Sequence, residues 1–344
     1  MTLVSLSDIK CVSEELLIYS GVSKKDAEII SDTIVYAHKR GKDTHGIIRV
    51  PIYLNKIKNK LMSPETKNKL IKENSIISVI DATHGFGQVA AFEGMKIAIE
   101  KAKKNGIGLV GIKNSNNFGT AGYFAEMAAK ENMIGLVMGN SSPAIAPWGG
   151  EKPVFGTNPL AFAAPGGKNF PNIILDMATS VAARGKIRLA KKNNEKIPLG
   201  WAIDETGNPT DDPVKALMGS MLPIGEHKGY GLSLMIDILA GLLTGSAFGG
   251  DVKPLNTKEG FSKFGHLLIV LNTEFFMSKN DYNEKIAVLI QNVKNSGDPN
   301  KVFLPGENSY KKAKENNLFV KLTENQIKEI NLLAEELNIK CKLQ

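Results

Sequence analysis

Gly106-Ile-Gly-Leu-Val-Gly-Ile-Lys-Asn-Ser-Asn-Asn117 decides what kind of α/β protein this chain forms. Its first six residues match the dinucleotide fingerprint G-x-G-x-x-G letter for letter, but that fingerprint needs a strand, then a glycine turn, then a helix. Here the glycines lie inside the apolar run itself, and polar loop formers follow. The stretch therefore predicts a strand, Ile107 to Ile112, with small residues in it, and argues against a Rossmann turn.

Outward from this strand, from about residue 74, short apolar runs alternate with helical ones, the pattern of mixed α/β structure. Ser75 to Ile80, Ile134 to Met138, Val154 to Ala163, Ile173 to Met177 and His266 to Leu271 read as strands. Val89 to Lys104 and Ala121 to Lys130 read as helices, and Lys191 to Asp212 as a polar loop. The apolar run Gly229 to Gly245 is interrupted by Asp237 and is too short for a confident membrane span, so a buried helix is expected. Before residue 74 the pattern is helical. Ser5 with Asp8, and Ser23 with Asp26, are start signals ahead of apolar periods that end at Gly21 and Gly41. The chain closes on a helix opened by Thr323 and Gln326.

With 344 residues, 42% of them hydrophobic and 23% charged, the chain can bury a large core or two smaller ones. Lys and Arg outnumber Asp and Glu by 43 to 35, a net +8, but the lysines are scattered. Scattered charge reads as solvated surface with a bias toward small anions; nucleic acid is not an expected partner, and neither is a membrane. Cys11 and Cys341 lack metal spacing and read as reduced thiols of a cytoplasmic protein. The first residues lack the basic-then-apolar pattern of a signal peptide, and no HExxH or comparable histidine spacing suggests a metal.

Residues 43–53, Asp-Thr-His-Gly-Ile-Ile-Arg-Val-Pro-Ile-Tyr, set His45, Arg49 and Tyr53 four apart. On one helix the three would share a face. They would then offer a proton carrier near neutral pH, a fork for a carboxylate and a hydroxyl, which suits a small oxo or hydroxy acid. Polar residues that fall into step by chance give the same spacing, and Pro51 disturbs a helix that does not begin just before it. Gly85-Phe-Gly-Gln88 fits an anion site at a helix N-terminus or a tight turn. Gly225-Glu-His-Lys-Gly-Tyr-Gly231 puts His227 and Lys228 before a helix, as a phosphate contact or as a polar cap loop. Asp176 to Ser180 ends a strand, where α/β proteins commonly place ligands.

Taken together, Asp43–Arg49, Asn114–Gly122, Ala146–Gly150, Phe155–Pro159, Asp176–Ser180, Gly200–Ala202, Gly225–Gly231 and Leu304–Glu307 run in order along most of the chain. They resemble the malate/L-lactate dehydrogenase family, which also includes ureidoglycolate and sulfolactate dehydrogenases and certain imine reductases and is distinct from the Rossmann enzymes. The resemblance implies an NAD- or NADP-dependent oxidoreductase, usually a homodimer. It implies a non-Rossmann nicotinamide-binding α/β domain, residues 74–308, packed on a helical domain built from both chain ends, residues 1–73 with 309–344. Carried over by position, the cofactor contacts are Ile174, Leu175, Asp176, Met177, Ala178, Thr179 and Ser180, then His227, Lys228, Gly306, Glu307 and Asn308, with Ser141 a weaker candidate. Many relatives carry histidine, a proposed proton donor, where this chain has Asn117. Asparagine can hydrogen-bond a carbonyl but delivers no proton, so His45, the donor assigned in other members, is left with that role.

The reading is a dehydrogenase that interconverts a small 2-hydroxy acid and its 2-oxo acid, malate with oxaloacetate or lactate with pyruvate. His45 as imidazolium would protonate the carbonyl oxygen, Arg49 would grip the carboxylate, and Tyr53 and Asn117 would hydrogen-bond the substrate. A cyclic imine carboxylate as substrate, or a cofactor-binding protein without catalysis, are the alternatives.

Overall fold

A computed structural model describes residues 1–298 and 300–344. In chain order it runs β1 (Thr2–Ser5), α1 (Leu6–Tyr19), α2 (Lys24–Lys39), α3 (Val50–Lys58), β2 (Lys69–Glu73), β3 (Ile77–Asp81), α4 (Gly87–Asn105), β4 (Ile107–Ser115), α5 (Ala121–Lys130), β5 (Met133–Gly139), β6 (Leu160–Ala164) and β7 (Ile173–Met177). There follow α6 (Arg184–Asn193), β8 (Ala202–Ile203), β9 (Pro209–Thr210), α7 (Pro213–Met218), β10 (Ser220–Met221), α8 (His227–Ile236), β11 (Phe264–Asn272), α9 (Lys279–Lys294), α10 (Glu307–Glu315), β12 (Phe319–Leu322) and α11 (Glu324–Glu336). Asp237–Leu242 extends α8 as a π-helix.

Seven strands make the central sheet in the order β2-β3-β4-β11-β5-β6-β7. Only β3 and β4 pair in parallel; the late strand β11 enters between β4 and β5, antiparallel to both. A dinucleotide fold of the Rossmann type needs a mostly parallel sheet, so this topology agrees with the reading of residues 106–111. The three glycines serve packing. Gly106 closes α4 in the left-handed region at φ 80°, and a Cβ on Gly108 would fall 2.1 Å from the Ala98 carbonyl oxygen. Along α4, Ala90, Gly94, Ala98 and Ala102 recur every four residues on one face. That stripe of small side chains lets the helix lie close on Val110, Ile112 and Leu268 of the sheet.

Both chain ends feed one apolar cluster. Ile9, Val12, Leu16, Ile30 and Ile34 from α1 and α2 pack with Val320, Ile330 and Ala334 from the end of the chain. The start signals read from sequence hold: Ser5 and Ser23 accept from Asp8 N and Asp26 N, and Thr323 with Gln326 forms a capping box. Strand β1 pairs antiparallel with β12, a join between chain ends that no local pattern announces. Other elements also differ from expectation. The strand expected from Val154 begins at Leu160, the polar stretch 191–212 contains the end of α6 with β8 and β9, and β2, α9 and α10 are additional. Among the described residues no helix is long and apolar enough to cross a membrane.

Cys11 and Cys341 are not free thiols; they form a disulfide with Cα atoms 6.0 Å apart. Spacing in sequence could not reveal it, because 330 residues separate them. Beside it Cys341 N–H donates to Glu15 Oε2 at 3.1 Å, and Asn331 holds both Leu343 N and Leu343 O. The cross-link staples the C-terminal tail to α1 and constrains the unfolded chain. Cys341→Ser is expected to lower stability by about 2–4 kcal/mol. Urea unfolding of native and variant protein, each with and without reductant, reads this; a native midpoint that does not respond to reductant would remove the cross-link from the account.

Candidate functional site

The motif at residues 43–49 is organised by a residue outside it, His38. Its ring, buried in α2, meets Asp43 Oδ1 through Nδ1 at 3.0 Å and accepts Ile47 N–H on Nε2 at 2.9 Å. That pairing fixes the tautomer, with the proton on Nδ1. The imidazole sits where a side chain at position 46 would be: a Cβ on Gly46 would lie 2.2 Å from His38 Nε2. The backbone therefore breaks at Gly46 into two single 3₁₀ turns, Asp43–His45 and Ile47–Arg49, ahead of α3. His45, Arg49 and Tyr53 thus do not share one helical face as their spacing suggests. Pro51 falls in the first turn of α3, where its missing N–H costs nothing.

Each member of the triplet has its own surroundings. His45 is partly exposed, with Nδ1 3.1 Å from Thr44 Oγ1 and, among the described residues, no hydrogen-bond partner on Nε2. Burial above all, then the adjacent Arg49 and to a lesser degree Lys42, push its pKa down to about 4, against an opposing pull from Asp176. The resting ring is neutral at pH 7, so an imidazolium waiting to protonate a carbonyl is not the form present. Arg49 Nε donates to the Thr44 carbonyl at 2.7 Å. Tyr53 is 1% exposed and its hydroxyl accepts from Gln88 Nε2 at 2.8 Å. Its ring packs edge-on to Phe86, with centroids 5.5 Å apart.

Asn117 sits in the loop after β4, its Oδ1 accepting Gly119 N–H at 3.1 Å. The loop is clamped from both sides. Lys56, 1% exposed on α3, donates to Asn116 Oδ1 at 2.9 Å and to Ser262 Oγ at 2.5 Å, and burial pushes its pKa down to about 8. Asn116 Nδ2 in turn holds the His84 and Gly85 carbonyls. From the sheet side His266 Nε2 meets Ser115 Oγ and the Asn116 carbonyl, each at 3.1 Å, with its ring stacked on Phe118. The sequence reading missed Lys56 and His266 because their partners are 60 and 151 residues away, and His38 because its partners, five and nine residues on, lie across the turn that leaves α2.

His266 is fully buried, which pushes its pKa down to about 4. Unfolded, the ring titrates near 6.5, so between those values the unfolded chain binds more protons than the folded one. Stability is expected to fall by ~3 kcal/mol as pH drops from above 6.5 to below 4 on account of this group. His266→Phe should flatten that part of a urea-midpoint-against-pH curve; an unchanged slope would mean the loss comes from elsewhere.

The stretches named for the cofactor fall in two places that β7 connects. Asp176 contacts Lys42 through Oδ2, and Ile174 N–H donates to the Pro305 carbonyl at 3.1 Å. Together with Tyr36, Gly306 and Asn308 these residues line a cavity of about 250 Å³. Gly306, at φ 85°, permits the approach: a Cβ there would lie 2.6 Å from the Ile174 carbonyl oxygen. Glu307 pairs with Lys294 and accepts Leu304 N–H, so its carboxylate fastens the start of α10. Beyond the strand, Thr179 N–H donates to the Thr157 carbonyl at 3.0 Å and Thr179 O accepts Ile224 N–H at 2.8 Å. Ser180 bridges to Pro223, and Ser141 Oγ is 3.5 Å from Thr157 Oγ1. His227 and Lys228 are exposed at the start of α8, preceded by Glu226 at φ 58°, ψ −125°. A non-glycine residue there costs about 1–3 kcal/mol, the kind of strain that clusters at ligand clamps. Leu175, Met177 and Ala178 complete the strand and its exit.

The sequence pattern of the malate/L-lactate dehydrogenase family matches residues 4–331, and the chain belongs to that family. It is therefore an enzyme, a dehydrogenase. It is 42% identical over 323 residues to the malate/(S)-sulfolactate dehydrogenase of Methanothermus fervidus, covering 93% of each chain. It is 34% identical to the (2R)-3-sulfolactate dehydrogenase (NADP(+)) of Chromohalobacter salexigens, covering 96% of this chain and 98% of that one. Among solved structures, the sulfolactate dehydrogenase from Methanocaldococcus jannaschii superposes with a TM-score of 0.92 at 37% identity, covering 98% of each chain.

Proposed function

We propose that the protein oxidises a small 2-hydroxy acid to its 2-oxo acid with NAD or NADP, and runs the reverse reduction, with His45 as the proton carrier. The observation that carries this reading is the neutral His45, Nε2 open, next to an arginine whose only hydrogen bond from Nε goes to a backbone carbonyl. Bound along β7, the nicotinamide dinucleotide would supply a hydride acceptor or donor. The groups suited to hold it are the Ile174–Asp176 edge with Gly306 and Asn308, and Lys228 for phosphate charge. Arg49 grips the carboxylate, and Asn117 hydrogen-bonds the substrate through its amide. His45 Nε2 takes the hydroxyl proton as the C2–H bond is broken, and returns a proton to the carbonyl oxygen in the reverse direction. A carboxylate on Arg49 cancels that arginine's share, second to burial, in holding His45 down, so substrate binding raises the ring part of the way toward the protonated form that reduction needs.

Lactate and malate are both candidates for the acid, and the protein works as a homodimer in this reading. An apolar strip of Leu234, Ile238, Leu242 and Leu243 stands open for a second copy. Assays of 2-oxo acids and a cyclic imine carboxylate, each with NADH and NADPH, test the reading. Consumption with an oxo acid supports it; consumption with the imine alone, or none with any, contradicts it.

A further inference from the structure

Ser141, Thr179 with Ser180, and His227 with Lys228 come from distant parts of the chain, and the segment Phe155-Gly-Thr-Asn-Pro159 ahead of β6 ties the three together. Asn158, fully buried, is the node. Its Oδ1 accepts Ser141 N–H at 3.0 Å, and its Nδ2 donates to the Ser233 carbonyl, near the end of the second turn of α8, at 2.9 Å. From the same segment the Thr157 carbonyl accepts Thr179 N–H at 3.0 Å and the Thr179 hydroxyl at 3.2 Å. Ser233 closes the ring, its buried hydroxyl donating to Thr179 Oγ1 at 2.7 Å. The backbone is shaped for these contacts. A Cβ on Gly156 would stand 2.1 Å from Ser141 Oγ, and one on Gly229, in the first turn of α8, 2.0 Å from the Ile224 carbonyl oxygen. One turn beyond Ser233 a second amide grips the helix: Asn140 Nδ2 donates to Asp237 Oδ1 at 3.1 Å. Gly241 makes room for it, since a Cβ there would lie 2.5 Å from that nitrogen. From Asp237 the helix runs on as a π-helix, a form that recurs at functional sites.

Burying a carboxamide costs free energy unless both of its ends are bonded, and apolar side chains would fill the same space without that demand. What a fully paired polar network adds is one fixed arrangement of the elements it joins. We infer that Asn158 is a positioning residue for the cofactor: through Ser141 N–H and the Ser233 carbonyl it sets the start of α8, with Lys228, against Ser141 and the exit of β7. The inference rests on the proposed assignment of the nicotinamide dinucleotide to these stretches. With no exposed surface Asn158 meets no ligand itself; it acts through the backbone on either side.

Fluorescence titration of the full chain with NADH and with NADPH tests this, beside urea unfolding of the same proteins. Asn158→Ala removes both bonds and is expected to weaken binding of the reduced cofactor by roughly 10- to 100-fold, the worth of leaving a buried N–H and a buried carbonyl unpaired. Asn158→Asp should recover part of that loss, because a carboxylate of the same shape still accepts Ser141 N–H. Stability alone predicts the opposite order, since an ionised carboxylate is the costlier group to bury. Ser233→Ala, a change small enough to keep the fold, breaks the hydroxyl link to Thr179 and should weaken binding by roughly 2- to 10-fold. It decides the matter should neither variant at 158 fold: loss of affinity supports the inference and native affinity overturns it. Native affinity in Asn158→Ala, or affinities that follow the urea midpoints with Asn158→Asp below Asn158→Ala, also overturns it while the assignment of the cofactor stands. Native protein that binds neither NADH nor NADPH fails the assignment first, and the inference falls with it.

Discussion

Replacing His45 by asparagine is expected to cut turnover of the 2-hydroxy acid by about 10²- to 10⁴-fold, the usual contribution of a positioned acid or base. Asparagine keeps a side chain of similar reach that can still meet Thr44, but it carries no proton. Cofactor affinity, read by titrating the quenching of reduced nicotinamide fluorescence, should stay near the native value, since the residues assigned to the cofactor lie along β7 and α8. The pH profile of the native protein supplies an independent check. With His45 held down to about 4, kcat/KM for hydroxy-acid oxidation should keep its full value as pH falls past 6.5, and its acid limb should lie near 4. A variant that keeps native turnover would pass the proton role to another group. Asn117 cannot take it, and His266 is sealed in the sheet.

Gly87→Ala is the second change with a large expected effect, and two opposing terms decide its sign. Gly87 opens α4, and alanine is favoured over glycine within a helix by about 1 kcal/mol. Its Cβ, however, would stand 2.2 Å from the Asn116 carbonyl oxygen and 2.7 Å from that of Asn117. Both are backbone atoms of a loop already clamped by Lys56 and His266, so nothing flexible can yield. Overpacking of this kind costs about 1–3 kcal/mol and outweighs the propensity gain. Thermal unfolding should show a net loss of stability, and kcat/KM should fall because Asn117 moves with its backbone. A stabilised variant with native kinetics would show that helix α4 does not seat this loop.

Much of the framework was legible because local patterns carry it. Strand β7 was read at its observed bounds, Ile173–Met177, since an apolar run there is closed by Pro171-Asn172 before it and by polar residues after it. The context of Gly106, Gly108 and Gly111 excluded the nucleotide turn, and the fold shows the packing that those glycines serve instead. What escaped reading depends on partners far along the chain. Strand β11 inserts between β4 and β5, β1 joins β12, and Cys11 meets Cys341; no window of neighbouring residues encodes these. Helix α6 was partly mistaken for loop because Lys and Arg dominate it and Ile187 is its one buried side chain. The site follows the same division. His45 and Arg49 stood out by residue type, but their geometry is set by His38 reaching over Gly46.

The central claim is that this chain moves a hydride between the C2 carbon of a hydroxy acid and a nicotinamide ring. The measurement that tests it most directly is the mass of the reduced cofactor after incubation with malate, or lactate, carrying deuterium at C2. The account predicts a reduced nicotinamide dinucleotide heavier by one mass unit, formed by the native protein and strongly slowed in His45→Asn. Reduced cofactor without the label, or no reduced cofactor from either acid with NAD or NADP, would contradict it.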